Sequence, residues 1–257
     1  MALLYEKKEK IAYFTINRPE AFNSLDPDTL KEFHDALLDF RDDPELWVGI
    51  VTGAGNRAFC AGADLTKTIP IMMDPNKTPP YRAPANIMRG LQIFKPLIAA
   101  INGMALGGGL EVALGCDLRV ASEKATLGSP EVKWSIIPGW GATQRLPRFI
   151  PWAKAAEIML MAQNVDAQEA YRIGLVNKVV PPDQVLPTAT EWANKICELG
   201  PLGVRAAKEA MVRGASMPLE DGLRLEEMLF ESLRFTEDGQ EGIKAFAQKR
   251  KPEYKAK

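Results

Sequence analysis

Two hydrophobic rhythms alternate along the first two-thirds of this chain. Ile11-Ala12-Tyr13-Phe14-Thr15-Ile16 is rich in β-forming side chains and stops at Asn17-Arg18-Pro19, which predicts a strand and a turn. Asp26-Pro27 is a capping and first-turn pair, and Leu30, Phe33, Leu37 and Phe40 then recur at helical spacing. Trp47-Val48-Gly49-Ile50-Val51-Thr52 is short and apolar throughout, as a strand covered on both faces would be. A glycine-dotted loop from Gly53 to Asp64 follows. Leu97 to Ile101 predicts a third buried strand and Leu118 to Ala121 a fourth. Strands separated by helical stretches imply crossover connections and a parallel or mixed sheet.

Two segments break the rhythm. Residues 66–84 hold Pro70, Pro75, Pro79, Pro80 and Pro84, which predicts an irregular, mobile excursion. After Val180 the pattern becomes helical, over Pro187–Leu199, Pro201–Arg213, Pro218–Arg234 and Asp238–Lys249, three of them opening with proline. A β-rich core with a helical appendage is the organisation expected for 257 residues.

Composition narrows the chemistry. Apolar residues make up 46% and charged residues 25%, which suits a globular chain with a sizeable core. The formal net charge is −1 with both signs interspersed, so no basic face is offered to nucleic acid and no strong field to anionic lipid. No run approaches the roughly 18 apolar residues needed to cross a membrane, and Met1–Lys10 has no apolar stretch of signal length. Cys60, Cys116 and Cys197 lie far apart without metal-ligand spacing and read as reduced thiols of a cytoplasmic protein. His34 is the only histidine, placed by periodicity on the polar side of the Asp26–Phe40 helix. Histidine-based triads and zinc sites therefore have little to build on, and catalysis must rest on carboxylates, lysines or the backbone.

The densest signal is Asn102-Gly103-Met104-Ala105-Leu106-Gly107-Gly108-Gly109-Leu110-Glu111, directly after a predicted buried strand. Consecutive glycines at a strand-to-helix junction let a ligand approach the backbone and leave amides free. A phosphate turn is one reading, but neither Gly-Lys-Ser/Thr nor Gly-x-Gly-x-x-Gly spacing is present. Tight helix packing is another. Glu111 stands in an apolar run, either on an exposed helix face or buried with a raised pKa. Glu131, in Gly128-Ser129-Pro130-Glu131-Val132-Lys133-Trp134, would by default form a surface ion pair with Lys133. Phe59-Cys60-Ala61-Gly62-Ala63-Asp64-Leu65 is a glycine-hinged turn.

Taken together these segments resemble the crotonase (enoyl-CoA hydratase/isomerase) family. The likeness runs from Asn17-Arg18-Pro19 through Ala61-Gly62-Ala63-Asp64, Lys95 to Gly103 and the triple glycine. It continues through Pro130-Glu131, Ile137-Pro138-Gly139 and Thr143-Gln144-Arg145-Leu146 to Phe246-Ala247-Gln248-Lys249-Arg250. The resemblance implies an α/β fold, with a spiral core of ββα units over residues 1–195 and a C-terminal helical trimerisation region over 196–257. It implies an oxyanion hole made by the amides of Ala63 and Gly108, and two catalytic carboxylates, Glu111 and Glu131. Hydratases of the family carry glutamates at both positions, whereas double-bond isomerases commonly keep only the second. The implied reaction is reversible syn addition of water to a 2-enoyl-CoA thioester, with the backbone around Gly139 positioning the water. Coenzyme A enters as part of the substrate, and no metal, flavin or nicotinamide is expected. Ala61, Ala63, Asp64, Leu65 and Thr66 match the loop that grips it, and Phe230, Phe246 and Lys249 match positions that close the nucleotide site, often across a subunit interface. A homotrimer or a homohexamer of two trimers follows from the same likeness.

Within that chemistry a dienoyl or alicyclic-enoyl hydratase, a carnitinyl-type dehydratase and an isomerase share the oxyanion pair; an RNA-binding relative would need a basic comb that this chain lacks. Trp140 stands where many hydratases have a small residue, Ala142 replaces a usual glycine, and Trp134 adds a second ring nearby. These indoles either repack the core or shorten the acyl pocket. The second reading, with the proline-rich 66–84 segment, predicts a preference for short, branched or cyclic enoyl groups.

Overall fold

The structure, a computed structural model, describes residues 1–76 and 82–257. One sheet holds, from edge to edge, β1 (Leu3–Lys8), β2 (Ile11–Ile16), β3 (Val48–Gly53), β5 (Leu97–Ile101), β7 (Leu118–Ser122) and β10 (Lys178–Val180). β1 and β2 pair antiparallel with Leu3 opposite Ile16, and the remaining neighbours are parallel. A second sheet holds the short strands β4 (Ala58–Cys60), β6 (Met104–Leu106), β8 (Thr126–Gly128) and β9 (Val165–Asp166).

Between the strands run α1 (Pro27–Asp42), α2 (Thr68–Met72), α3 (Gly108–Gly115), α4 (Ala142–Phe149), α5 (Trp152–Leu160) and α6 (Ala167–Arg172). The chain thus lays a long strand in the first sheet, a short one in the second, then a helix, as in β5–β6–α3. Then come α7 (Val185–Cys197), α8 (Pro201–Gly214), α9 (Leu219–Leu233) and α10 (Glu237–Ala247).

At the centre of the first sheet β3 and β5 are buried on both faces, which is why they are apolar without alternation. Phe14, Ile16, Val51, Ala99 and Ile101 join one cluster with Leu30, Phe33, Leu37 and Phe40 of α1. Phe14 meets Phe33 and Phe40 edge-on, with ring centroids 5.9 and 5.6 Å apart. Ile50, Ile98, Ala100 and Val120 face the other way, onto Val185, Ala189 and Ala193 of α7. Each fully buried side chain of this size contributes about 1.5–3 kcal/mol. α1 starts as its sequence requires: Asp26 Oδ1 accepts the Thr29 amide at 2.9 Å and Pro27 occupies the first turn.

Several expectations need correction. The charged N-terminal stretch forms β1, an edge strand in which Leu3 alone is buried. The loop from Gly53 to Asp64 contains β4, and the irregular excursion contains α2. Pro79 and Pro80 of that excursion lie outside the described residues. His34 is half-buried rather than on a solvated face, its Nδ1 against the Ala85 carbonyl oxygen.

Candidate active site

Three stretches far apart in sequence meet at the start of α3. The first is the turn after β4. Ala61 donates its amide to Phe22 O at 3.0 Å, Leu25 N to Gly62 O at 2.8 Å, and Asp64 N to Leu25 O at 3.0 Å. The amide between them, Ala63 N–H, has no backbone acceptor among the described residues. The Asp64 carboxylate ties off the turn. Its Oδ1 accepts the Thr66 amide (2.9 Å), the Thr66 hydroxyl (2.7 Å) and the Lys67 amide (3.1 Å), and its Oδ2 accepts Arg18 Nη2 at 3.0 Å. Burial pushes this carboxyl's pKa up, but those hydrogen bonds and the Arg18 guanidinium outweigh it and hold it well below the usual range.

The second stretch is the triple glycine. Gly62, at φ +97°, lies so close that a Cβ there would stand 2.9 Å from Gly108 N; a Cβ on Gly108 would stand 3.3 Å from Ala63 N. Only glycine at both points lets the two backbones approach this closely. Gly108 N–H opens α3 and, like Ala63 N–H, has no backbone acceptor among the described residues.

Glu111 follows one turn into α3 and is 2% exposed. Its Oε1 accepts the Trp140 amide at 2.8 Å and the Ala142 amide at 3.0 Å. Burial drives its pKa up to about 7; these two amides and Arg145 act against the rise, and the Glu131 charge adds to it. The sequence left open whether this glutamate was buried or exposed, and it is buried. Its Oε2 has no protein partner among the described residues.

The third stretch carries Glu131 on a short 3₁₀ turn, Glu131–Trp134, after β8. Lys133 is exposed and forms no ion pair with Glu131 among the described residues. Instead the buried Ser129 hydroxyl donates to Glu131 Oε2 at 2.8 Å. Glu131 Oε1 reaches over Gly107, 3.1 Å from where a Cβ would stand. Each glutamate therefore has one oxygen tethered and one left over.

The remaining predicted positions divide. Trp140 is 6% exposed and its ring lies against Gly108, with Cζ3 2.7 Å from the Cβ position there. Trp134 does not join it: at the end of its 3₁₀ turn it is 53% exposed, with no core to enter. Gly139 is exposed, its carbonyl accepting Arg89 Nη1 at 3.3 Å, so the loop reaches Glu111 through residues 140 and 142. Leu65 and Thr66 are exposed beside the turn. Phe230 and Phe246, 66% and 87% exposed, lie on α9 and α10, the exposed Lys249 lies two residues past the end of α10, and no hydrogen bond links them to residues 61–66 among those described. Ser129 and Arg18 stand in motifs named from the sequence without a role in the site, and the 140 and 142 amides were not foreseen as partners of Glu111. Only Ser129 had a local signal, two residues before Glu131.

The family described as enoyl-CoA hydratase/isomerase matches residues 6–257. The chain is 43% identical over 255 residues to the (E)-benzylidenesuccinyl-CoA hydratase of Thauera aromatica, covering 99% of each. It is also 43% identical over 255 residues to the short-chain-enoyl-CoA hydratase of Clostridium acetobutylicum, covering 98% of this chain and 96% of that one. The crystal structure of enoyl-CoA hydratase from Bacillus anthracis superposes with a TM-score of 0.92 at 39% identity over the whole of both chains. With both glutamates and the two turns that meet at α3 inside the matched region, this chain belongs to the enoyl-CoA hydratase/isomerase family.

Proposed function

We propose that this protein is a hydro-lyase that adds water reversibly across the α,β-double bond of a 2-enoyl-CoA thioester. The observation that carries the reading is the pairing of two acceptor-free amides, Ala63 and Gly108, with two carboxylates that each keep one oxygen untethered. The thioester oxygen sits between the two amides. As the water oxygen bonds the β-carbon, the π electrons move through the α-carbon onto that oxygen, and the amides stabilise the enolate. Preorganised donors of this kind are worth about 3–4 kcal/mol each at the transition state.

Burial raises the Glu111 pKa to about 7, so this carboxyl can carry a proton near neutral pH. Glu111 holds the water, with the loop at Gly139 and Trp140 fixing its approach, and Glu131 serves the α-carbon. One proton leaves the pair for the α-carbon while the water returns one, so the pair ends as it began. No oxidation state of the substrate pair changes, and no redox cofactor is needed. Proton transfer by such groups contributes roughly 10²–10⁴-fold. An isomerase needs only one carboxylate, and the tethering of Glu111 by two amides supports hydration.

Coenzyme A, carried by the substrate, lies along the 61–66 turn. Phe230, Phe246 and Lys249 reach the nucleotide from a neighbouring copy, in a trimer or a pair of trimers; their exposure in the C-terminal region supports this arrangement. Among the described residues no helix is long and apolar enough to cross a membrane. The unpaired thiols of Cys60, Cys116 and Cys197 support a place in the cytoplasm. The test is a panel of 2-enoyl-CoA thioesters followed by loss of the conjugated-thioester absorbance. Hydration of at least one short member is expected; double-bond migration without water uptake across the panel would overturn the reading.

A further inference from the structure

Beside Trp140 opens a surface cleft of about 680 Å³. It is walled by Arg89, Ile137, Pro138, Thr143, Gln144 and Arg148 together with Trp140 itself. Its volume falls in the usual range of small-ligand pockets, about 300–1,000 Å³. The indole stands between this space and the glutamates. On one side its Cζ3 and Cε3 press on Gly108, 2.7 and 2.9 Å from the Cβ position; on the other, the residue lines the cleft. The ring is held from behind. The Trp140 amide is committed to Glu111 at 2.8 Å and its carbonyl accepts Arg145 Nη1 at 3.3 Å. With the ring 6% exposed and pressed on Gly108, the indole cannot swing clear without displacing the side chains packed around it.

We propose that the Trp140 indole is a partition that fixes acyl length, ending the substrate pocket of the wild-type enzyme a few carbons past the double bond and sealing it from the cleft. The proposal rests on the hydratase reading and names the substrate class for it: enoyl groups of about four carbons or compact branched and cyclic ones, too short to need the space behind the ring. Because the backbone of residue 140 holds Glu111, side-chain substitutions change the wall and leave the carboxylate's tether in place. Trimming the ring joins the two spaces, and a longer chain gains apolar burial it could not have before.

The experiment measures dissociation constants of the unreactive saturated thioesters butyryl-, octanoyl- and dodecanoyl-CoA by calorimetry, for wild type, Trp140→Phe and Trp140→Ala. Wild type should bind butyryl-CoA more tightly than dodecanoyl-CoA. Trp140→Ala should shift the ratio toward dodecanoyl-CoA by roughly tenfold or more, as burial of several methylenes would give, with Trp140→Phe between them. Equal binding of short and long chains by wild type, or an unchanged ratio in both variants, overturns the partition. If Trp140→Ala does not fold, the Phe variant alone decides, since an unchanged ratio there has the same meaning. Hydration of crotonyl-CoA by wild type is assayed alongside. A shifted binding ratio without hydration would leave the partition standing and sink the hydratase reading; hydration without a shifted ratio would do the reverse.

Discussion

The carboxyl of Glu111 is where opposing influences can be weighed most directly. Burial and the neighbouring Glu131 disfavour its ionised form, while two amides and Arg145 favour it, and burial wins, with a pKa of about 7 against an ordinary 4.5. A carboxyl whose pKa is raised by folding stabilises the native state below its unfolded pKa and loses that contribution as pH rises through the folded value. Wild type should therefore lose up to about 3 kcal/mol of stability between pH 4 and pH 8 relative to Glu111→Gln, whose amide oxygen can still accept the 140 and 142 amides. Guanidinium unfolding at several pH values reads this directly; parallel stability curves for the two proteins would contradict it. Ser129 makes a second prediction. Its hydroxyl tethers Glu131 Oε2 at 2.8 Å. Ser129→Ala should lower kcat by roughly 5–10-fold, the worth of one hydrogen bond, while leaving acyl-CoA affinity unchanged. Ser129→Thr should recover most of the loss, and a change confined to affinity would refute the positioning role.

At the scale of elements, the turn after β4 is held by one buried carboxylate that takes two amides, a hydroxyl and a guanidinium. Removing it with Asp64→Ala leaves two amides without their acceptor and Arg18 with Asp26 as its one remaining carboxylate, at about 1–3 kcal/mol. Thermal melting should show that loss, and turnover should fall by more than substrate affinity because Ala63 sits next in the chain. The strands Ile11–Ile16 and Leu97–Ile101 were legible because burial on both faces makes a strand apolar throughout. β1 was not, because an edge strand with Leu3 alone buried reads as a charged tail. β4, β6 and β8 are three residues each, too short to establish a period. At the site, the apolar run around Glu111 flagged the residue but not its burial. That depends on amides 29 and 31 positions later, which leave no trace in local pattern. Trp134 shows the converse: its proximity to Trp140 in sequence suggested one wall, yet the 3₁₀ turn sends it outward.

For the whole molecule, the C-terminal helices carry an apolar surface that the single chain leaves uncovered. Small residues of α8 and α9, among them Ala207, Ala210, Gly214 and Gly222, line a groove with Leu223 and Phe230. Light scattering should give a mass of three or six chains, and Phe230→Asp should lower affinity for acyl-CoA in proportion to the monomer it releases; a wild-type monomer would refute the shared nucleotide site. The core claim concerns chemistry, and it reduces to Glu131. Crotonyl-CoA hydration by wild type and Glu131→Gln, with acyl-CoA affinity measured on both, tests it most directly. In the variant kcat should fall roughly 10²–10⁴-fold with affinity retained. Wild-type turnover in the variant would contradict it.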